Sequence, residues 1–362
     1  MSKKIHVAIL FGGKSAEHEV SLRSAKSIIG AIDKNKYEIT LIGIDKEGKW
    51  FWLNKSDFIS ADGNQKIFQF KKASNSAALL PGEGGWLTLD GKKKSKIDVV
   101  FPVLHGALGE DGTVQGLLKL ADMPFVGAGV MGSSVGMDKD AMKKVLRDAQ
   151  IPIGKFLVFS SGDKINFRSA SKELGLPIFV KPANTGSSVG VSKCRNEKEF
   201  KLAVKNAFTY DRKIVVEQFI KGREIECSVL GNENPTASLP GEVIPQHDFY
   251  SYEAKYLDEN GAKLQIPAKL PKNIIKKIQE ASTKAYQALY CEGFGRVDMF
   301  LTSSGKIYIN EINTIPGFTS ISMYPKLWEA SGLKYPDLID ELIQLAMERF
   351  KKDKKLKTSF IN

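Results

Sequence analysis

Apolar runs and amphipathic stretches alternate along the first third of the chain. His6–Phe11 and Tyr37–Asp45 read as strands, with a helix from about Ala16 to Ile32 between them. Ile97–Leu104 is a further apolar strand, followed by a helical Thr113–Leu120. This succession predicts an α/β layer with a mainly parallel sheet. A helix over Lys139–Ala149 then runs into Ile151-Pro152, a natural break because the residue before a proline is driven out of the helical region. Beyond it the pattern shortens. Lys155–Phe159, Ile178–Lys181, Gly190–Lys193, Ile214–Phe219 and Glu224–Leu230 read as strands, with helical Ser169–Leu174 and Glu197–Ala207 among them. The remainder carries a helix near Ile274–Leu289, a strand hairpin from Arg296 to Asn313 and amphipathic C-terminal helices. Three lobes are predicted: an α/β lobe over 1–137, and two α+β lobes over 138–222 and 223–362.

Composition narrows the class. A chain of 362 residues with 42% hydrophobic and 26% charged residues can bury a core in two or three domains. The basic start is followed by an apolar run, Val7–Phe11, shorter than the roughly 7–15 residues of a secretory segment. No stretch approaches the roughly 18 apolar residues of a membrane span, so a cytoplasmic protein with no membrane partner is expected. Cys194, Cys227 and Cys291 form no close pair and read as buried reduced thiols. The net charge of +12 invites a nucleic-acid reading. The excess, however, is clustered at Lys92-Lys93-Lys94, Lys96 and the tail Lys351–Lys357, with no interleaved aromatics to stack bases. Solvated lysines plus a frayed basic tail, and no nucleic-acid partner, are the expectation.

The sharpest chemical feature is Gly295-Arg-Val-Asp-Met-Phe-Leu301 followed by Lys306-Ile-Tyr-Ile-Asn-Glu-Ile-Asn313. Side chains two apart share one face of a strand. If Ser304-Gly305 forms a two-residue hairpin loop, Asp298 lies opposite Glu311 and Arg296 opposite Asn313. Facing carboxylates repel by some tenths to about 1 kcal/mol, which a cation between them would relieve. Asp298, Glu311 and Asn313 offer hard oxygen donors with no His or Cys nearby, favouring magnesium or manganese over zinc. Arg296 is placed to stabilise phosphoryl charge. The alternative is an ordinary polar strand face with Arg296 paired to Glu311.

A second feature is Phe179-Val-Lys-Pro-Ala-Asn-Thr-Gly-Ser-Ser-Val-Gly190. Here a strand bearing Lys181 enters a loop of small residues whose amides can approach phosphates. Glycine-rich hairpins without a ligand are common, so this loop is open to either reading. Glu217-Gln-Phe-Ile-Lys-Gly-Arg-Glu224 could supply backbone edges for a purine and an acid for ribose. Two other glycine motifs are set aside. Gly12-Gly13-Lys14-Ser15 lacks the P-loop glycine, since position 8 is Ala8. Gly127-Ala-Gly-Val-Met-Gly132 fits a dinucleotide fingerprint, but no helix is expected to open at once within Ser133–Gly136.

Taken together, these segments resemble the D-alanine–D-alanine ligase family of the ATP-grasp superfamily over nearly the whole chain. Phe11-Gly-Gly-Lys-Ser-Ala-Glu-His-Glu-Val-Ser21 and His105-Gly-Ala-Leu-Gly-Glu-Asp-Gly-Thr113 are similar to its first two signatures. Arg296-Val-Asp298 with Asn310-Glu-Ile-Asn-Thr-Ile-Pro-Gly317 are similar to its third. The resemblance implies an ATP-grasp fold and ATP-dependent joining of two D-alanines, through a D-alanyl phosphate, for peptidoglycan precursor synthesis. It implies that Glu17 binds the first ammonium, with Ser187 orienting the substrates. Lys139 and Lys181 would hold ATP phosphates under the Ser187-Ser188 loop. Glu217, Gln218, Phe219 and Ile220 would surround adenine and Glu224 the ribose, with Phe249, Lys255, Phe300 and Asn310 completing the nucleotide site. Asp298, Glu311 and Asn313 would hold two Mg2+ ions, replaceable by Mn2+. Arg296 and the Gly317 region would stabilise the tetrahedral intermediate, and Ser322, beside Met323, would receive the second carboxylate. His105 would line the substrate site, though a structural role is equally open to a histidine beside glycines. His247–Gly261 resembles a closing loop. Its Lys255-Tyr256 favours D-alanine over D-lactate as acceptor, because depsipeptide-forming relatives carry phenylalanine after the lysine. Ala107, where proline is common, and Met323 depart from the pattern. A homodimer is the assembly implied.

Overall fold

The computed structural model describes residues 3–54, 58–60, 68–70, 75–82, 84–89, 92–245 and 262–360. Strand Ile5–Gly12 lies in parallel between Tyr37–Ile44 and Val99–Val103, with Trp50–Leu53 antiparallel at the far edge. Val7 to Phe11 are each 0% exposed, which is the burial a parallel strand covered on both faces demands. Helix His18–Ala31 covers one face through Leu22, Ala25 and Ile28. The turn between strand and helix requires glycine. Gly12 has φ +92°, and a Cβ there would stand 2.1 Å from the Ile44 carbonyl oxygen.

The second sheet is antiparallel, in the order Phe156–Ser160, Lys213–Gln218, Ile178–Pro182, Ser192–Cys194. Helices Phe167–Leu174 and Glu197–Ala207 pack over it and are capped by Asn166 and Asn196, whose side chains accept from Ser169 and Glu199 amides. The third sheet runs Ala262–Gln265, Gly241–Pro245, Arg223–Leu230, Phe294–Leu301, Ile307–Asn313, backed by helix Lys272–Ala288.

The cores do not follow the lobe boundaries expected from sequence. Helix Lys139–Asp148, assigned above to the central lobe, buries Met142 and Leu146 against Ile225 and Ile309 of the third sheet and Tyr286 of the helix behind it. Helix Tyr335–Asp353, at the C-terminus, buries Leu338, Ile339, Leu342 and Ile343 with Val7, Ile9 and Leu22 of the first lobe. The chain therefore returns to its starting lobe, and Arg349 fixes that return. Its guanidinium donates to the Gly127 carbonyl at 2.6 Å and the Phe125 carbonyl at 2.8 Å, and it lies 4.6 Å above the Phe125 ring.

Two further expectations are refined. Lys92, Lys96 and residues 351–357 are exposed, as expected, but Lys92–Lys96 is a strand beside Trp86–Leu89 and the last helix carries the tail to Asp353, where Lys352 pairs with Glu233 at 2.7 Å and Lys354 with Asp122 at 2.6 Å. A helix, Val130–Met137, does open within the second glycine motif. There a Cβ on Gly132 would stand 2.4 Å from the Tyr290 carbonyl, so that glycine serves helix packing. All three cysteines are buried and free. Among the described residues no helix is long and apolar enough to cross a membrane.

Candidate active site

The hairpin places the acidic residues as expected, by a different route. Thr302 and Lys306 close a three-residue loop, Ser303-Ser304-Gly305, with Gly305 at φ +77°. The register then shifts between Asp298 and Met299, which leaves Asn310 as an extra bulged residue. The two irregularities cancel, so Asp298 faces Glu311 and Arg296 faces Asn313. The bulge turns Asn310 toward Lys181, whose ammonium is 3.4 Å from its Oδ1.

On the other neighbouring strand, Glu226 also lies opposite Asp298. Glu226, Asp298 and Glu311 thus form one row across three strands. Arg296 donates twice to Asp298, at 2.7 Å each, and its Nε lies 2.9 Å from Glu226. Burial would lower the Arg296 pKa, but Asp298 and Glu226 outweigh it and raise it. Arg296 thus pairs with Asp298 and Glu226, where the alternative reading paired it with Glu311. Asn313 donates its amide to Asp298 Oδ2 at 3.0 Å. The donors at the expected metal site are carboxylate and amide oxygens, the set that suits a hard divalent ion such as Mg2+.

Three distant segments converge on this row. Lys139, at the start of its helix, donates to the Thr185 carbonyl at 2.7 Å and lies 3.6 Å from Glu311 Oε2. Lys181 pairs with Glu217 Oε2 at 2.9 Å. Glu217 Oε1 is met at 3.2 Å by Lys143, which sequence reading missed although it stands one helical turn beyond Lys139. Burial alone would raise the Glu217 carboxyl; the Lys143 and Lys181 ammonium groups prevail and hold it at about 2. Glu226 was missed too, although it follows Glu224 at strand spacing.

Above the row, Ser187 and Ser188 have φ of +52° and +61°, a left-handed conformation costing non-glycine residues of order 1–3 kcal/mol each. This turn brings the Ser187 hydroxyl to Glu17, to which it donates a short hydrogen bond. Glu17 occupies the N-cap of its helix without capping it. Its carboxylate is flanked instead by two glycines: a Cβ on Gly106 or Gly186 would come within 2.9 or 3.0 Å of Oε2. Gly317 and Ser322 are brought together, with Ser322 Oγ 3.1 Å from where a Gly317 Cβ would sit and bonded to Thr319.

Several expected contacts change. His105 is 4% exposed, and both ring nitrogens are engaged, Nδ1 by the Ile315 carbonyl at 3.1 Å and Nε2 by Ser24 Oγ at 3.3 Å. It bolts the first lobe to the loop before Gly317. Burial would lower its pKa; Glu110, 3.8 Å away, raises it. Met323 is 6% exposed and packs with Val243 and Leu327. Gln218 commits its N–H to the Lys155 carbonyl. Phe219 is half-exposed, 6.2 Å from the Phe179 ring, with Lys193 4.9 Å above it. Ile220 packs against Gly154, and Glu224 pairs in register with Phe300. Phe249, Lys255 and Tyr256, with the rest of the expected closing loop, lie outside the described residues.

Residues 6–128 match the model of the D-ala D-ala ligase N-terminus, and residues 145–344 that of the D-ala D-ala ligase C-terminus. The D-alanine–D-alanine ligase of Shouchella clausii is 53% identical over 364 residues, covering 99% of each chain. The solved D-alanine–D-alanine ligase from Coxiella burnetii is 40% identical, with a TM-score of 0.86 over 98% of this chain and 97% of that one. The ligase from Bacillus anthracis complexed with ATP is 28% identical, with a TM-score of 0.73 over 96% and 99% of the two chains. Fold and sequence agree: this chain has the ATP-grasp fold and belongs to the D-alanine–D-alanine ligase family.

Proposed function

We propose that this chain couples two D-alanines at the expense of ATP, for peptidoglycan precursor synthesis, and that the convergence of Glu17, Ser187, Lys139 and Glu311 is its active site. The observation that carries the reading is Lys139, which bridges the small-residue loop at Thr185 and the acidic row at Glu311. A phosphate chain lying between that loop and that row would meet Lys139 and Lys181, with Glu217 toward the base and Glu224 toward the ribose.

A free carboxylate is a poor acyl donor, because its leaving group would be oxide. In the reaction we assign, a carboxylate oxygen of the first D-alanine forms a bond to the γ-phosphorus as the bond to ADP breaks. The amine of the second D-alanine then attacks the acyl carbon, loses a proton and expels phosphate. Glu17 would receive the first ammonium, with Ser187 fixing the carboxylate's orientation. Arg296, locked between Asp298 and Glu226, is a pre-oriented donor for the charge that develops on the acyl oxygen. The Gly317–Ser322 turn would seat the second carboxylate.

The fit test for magnesium is the donor set. Asp298, Glu311 and Asn313 supply oxygens only, and they would hold it; bound there, Mg2+ would offset phosphate charge as a Lewis acid. The family resemblance further supports a cytoplasmic homodimer, which light scattering of the purified chain tests.

The test of the function is phosphate release with ATP, magnesium and D-alanine, run beside D-serine and D-lactate as second substrates. D-Alanine-dependent release, with D-alanyl-D-alanine as product, is expected. Faster coupling to D-lactate at neutral pH would overturn the acceptor assignment.

A further inference from the structure

Glu217 is a buried carboxylate with two lysines, and the two are not equivalent. Lys181 is 13% exposed and also touches Asn310. Lys143 is 2% exposed, beneath the Glu217 carboxylate and 5.8 Å from the Phe156 ring centroid. Desolvating a second ammonium is unfavourable unless it serves a purpose. One lysine would suffice to neutralise Glu217 in the free protein.

We propose that Lys143 is a positioning residue: the permanent counter-charge of Glu217, which frees Lys181 to leave that carboxylate for the phosphates of the nucleotide. The inference rests on the function proposed above and deepens its nucleotide site. Lys181 can swing outward because its side chain is partly exposed. Lys143 cannot, because its whole side chain is enclosed. When Lys181 departs, Glu217 keeps one ion pair and stays ionised. Glu217 Oε2, the oxygen that Lys181 held at 2.9 Å, then presents an acceptor lone pair, while Oε1 stays with Lys143. The donor it suits is the exocyclic amine of an adenine base, an N–H that water no longer satisfies once the base is bound.

Without Lys143, nucleotide binding would strip Glu217 of its last counter-ion, so the cost should appear in ATP affinity. If Glu217 is made neutral, there is nothing left to balance and Lys143 should become dispensable. Phosphate release is therefore measured with D-alanine saturating and ATP varied, for wild type, Lys143→Met, Glu217→Gln and the double variant. The expected result is a KM for ATP raised at least about tenfold by Lys143→Met in the wild-type background, and changed by less than about threefold by the same substitution in the Glu217→Gln background. Equal increases in both backgrounds, or none in the wild-type background, would overturn the proposal.

If Lys143→Met alone does not fold, the comparison of Glu217→Gln with the double variant decides by the same criterion. If wild type releases no phosphate with D-alanine, the function proposed above fails instead. ADP titrations of the same proteins by calorimetry then test the same non-additivity in Kd.

Discussion

Ser187 donates its hydroxyl to the carboxylate of Glu17, across 170 residues of sequence. The contact joins the first lobe to the small-residue loop of the central lobe, and the loop reaches it only because Ser187 and Ser188 adopt left-handed backbone conformations.

Ser187→Ala should therefore act on the first substrate more than on ATP. A hydrogen bond to a charged group is worth about 1.5–3 kcal/mol, so kcat/KM for D-alanine should fall roughly 10- to 150-fold. The KM for ATP should move much less. Steady-state kinetics with each substrate varied in turn check this; equal losses for both would mean the loop as a whole had collapsed.

Glu217 gives a pH prediction with a definite sign. Its carboxyl is held at about 2 in the folded chain, against 4.5 ordinarily. The stability this contributes is complete above about pH 4.5 and is lost as pH falls through about 2. It amounts to something on the order of 3 kcal/mol. Urea denaturation from pH 5 downward should show wild type losing stability more steeply than Glu217→Gln. Parallel profiles would contradict the two-lysine clamp.

Arg349→Ala should loosen the C-terminal helix from the first lobe. It removes bonds to the Gly127 and Phe125 carbonyls and to Glu292 Oε2, leaving two buried backbone acceptors unpaired. A loss of about 2–4 kcal/mol is expected in denaturant titrations. Arg349→Lys should not restore it, because one ammonium lacks the planar fork that reaches both carbonyls.

Gly12 and Gly162 separate conformation from space. Both have positive φ, +92° and +101°, but a Cβ meets the Ile44 carbonyl at Gly12 and nothing within 4 Å at Gly162. Gly162→Ala should cost about 1–2 kcal/mol and Gly12→Ala roughly 3–5, the left-handed penalty plus overpacking. Comparable melting temperatures for the two variants would refute the steric account.

Much of this was legible in the sequence because strand periodicity carries local geometry. Arg296, Asp298, Glu311 and Asn313 could be placed on one face from spacing alone. What spacing could not supply was compensation between irregularities: the loop is one residue longer than expected, and the bulge at Asn310 restores the register. Long-range packing was equally hidden. Nothing in the amphipathic pattern of Tyr335–Asp353 says which core it enters, and it enters the first. His105 lies in a motif that resembles an active-site signature, yet its partners Ser24 and Ile315 come from distant segments. Lys143 is one more helical lysine in the sequence, and only the fold lays Glu217, from a strand of the second sheet, over it. Burial of a charge is decided by what folds over it.

The most direct test of the central claim is the yield of D-alanyl-D-alanine per phosphate released, in wild type and Glu311→Gln. One dipeptide per phosphate is predicted for wild type, with turnover in the variant lower by about two orders of magnitude or more, as loss of a group acting on a phosphoryl transition state implies. Phosphate released without dipeptide, or an unimpaired Glu311→Gln, would contradict the account.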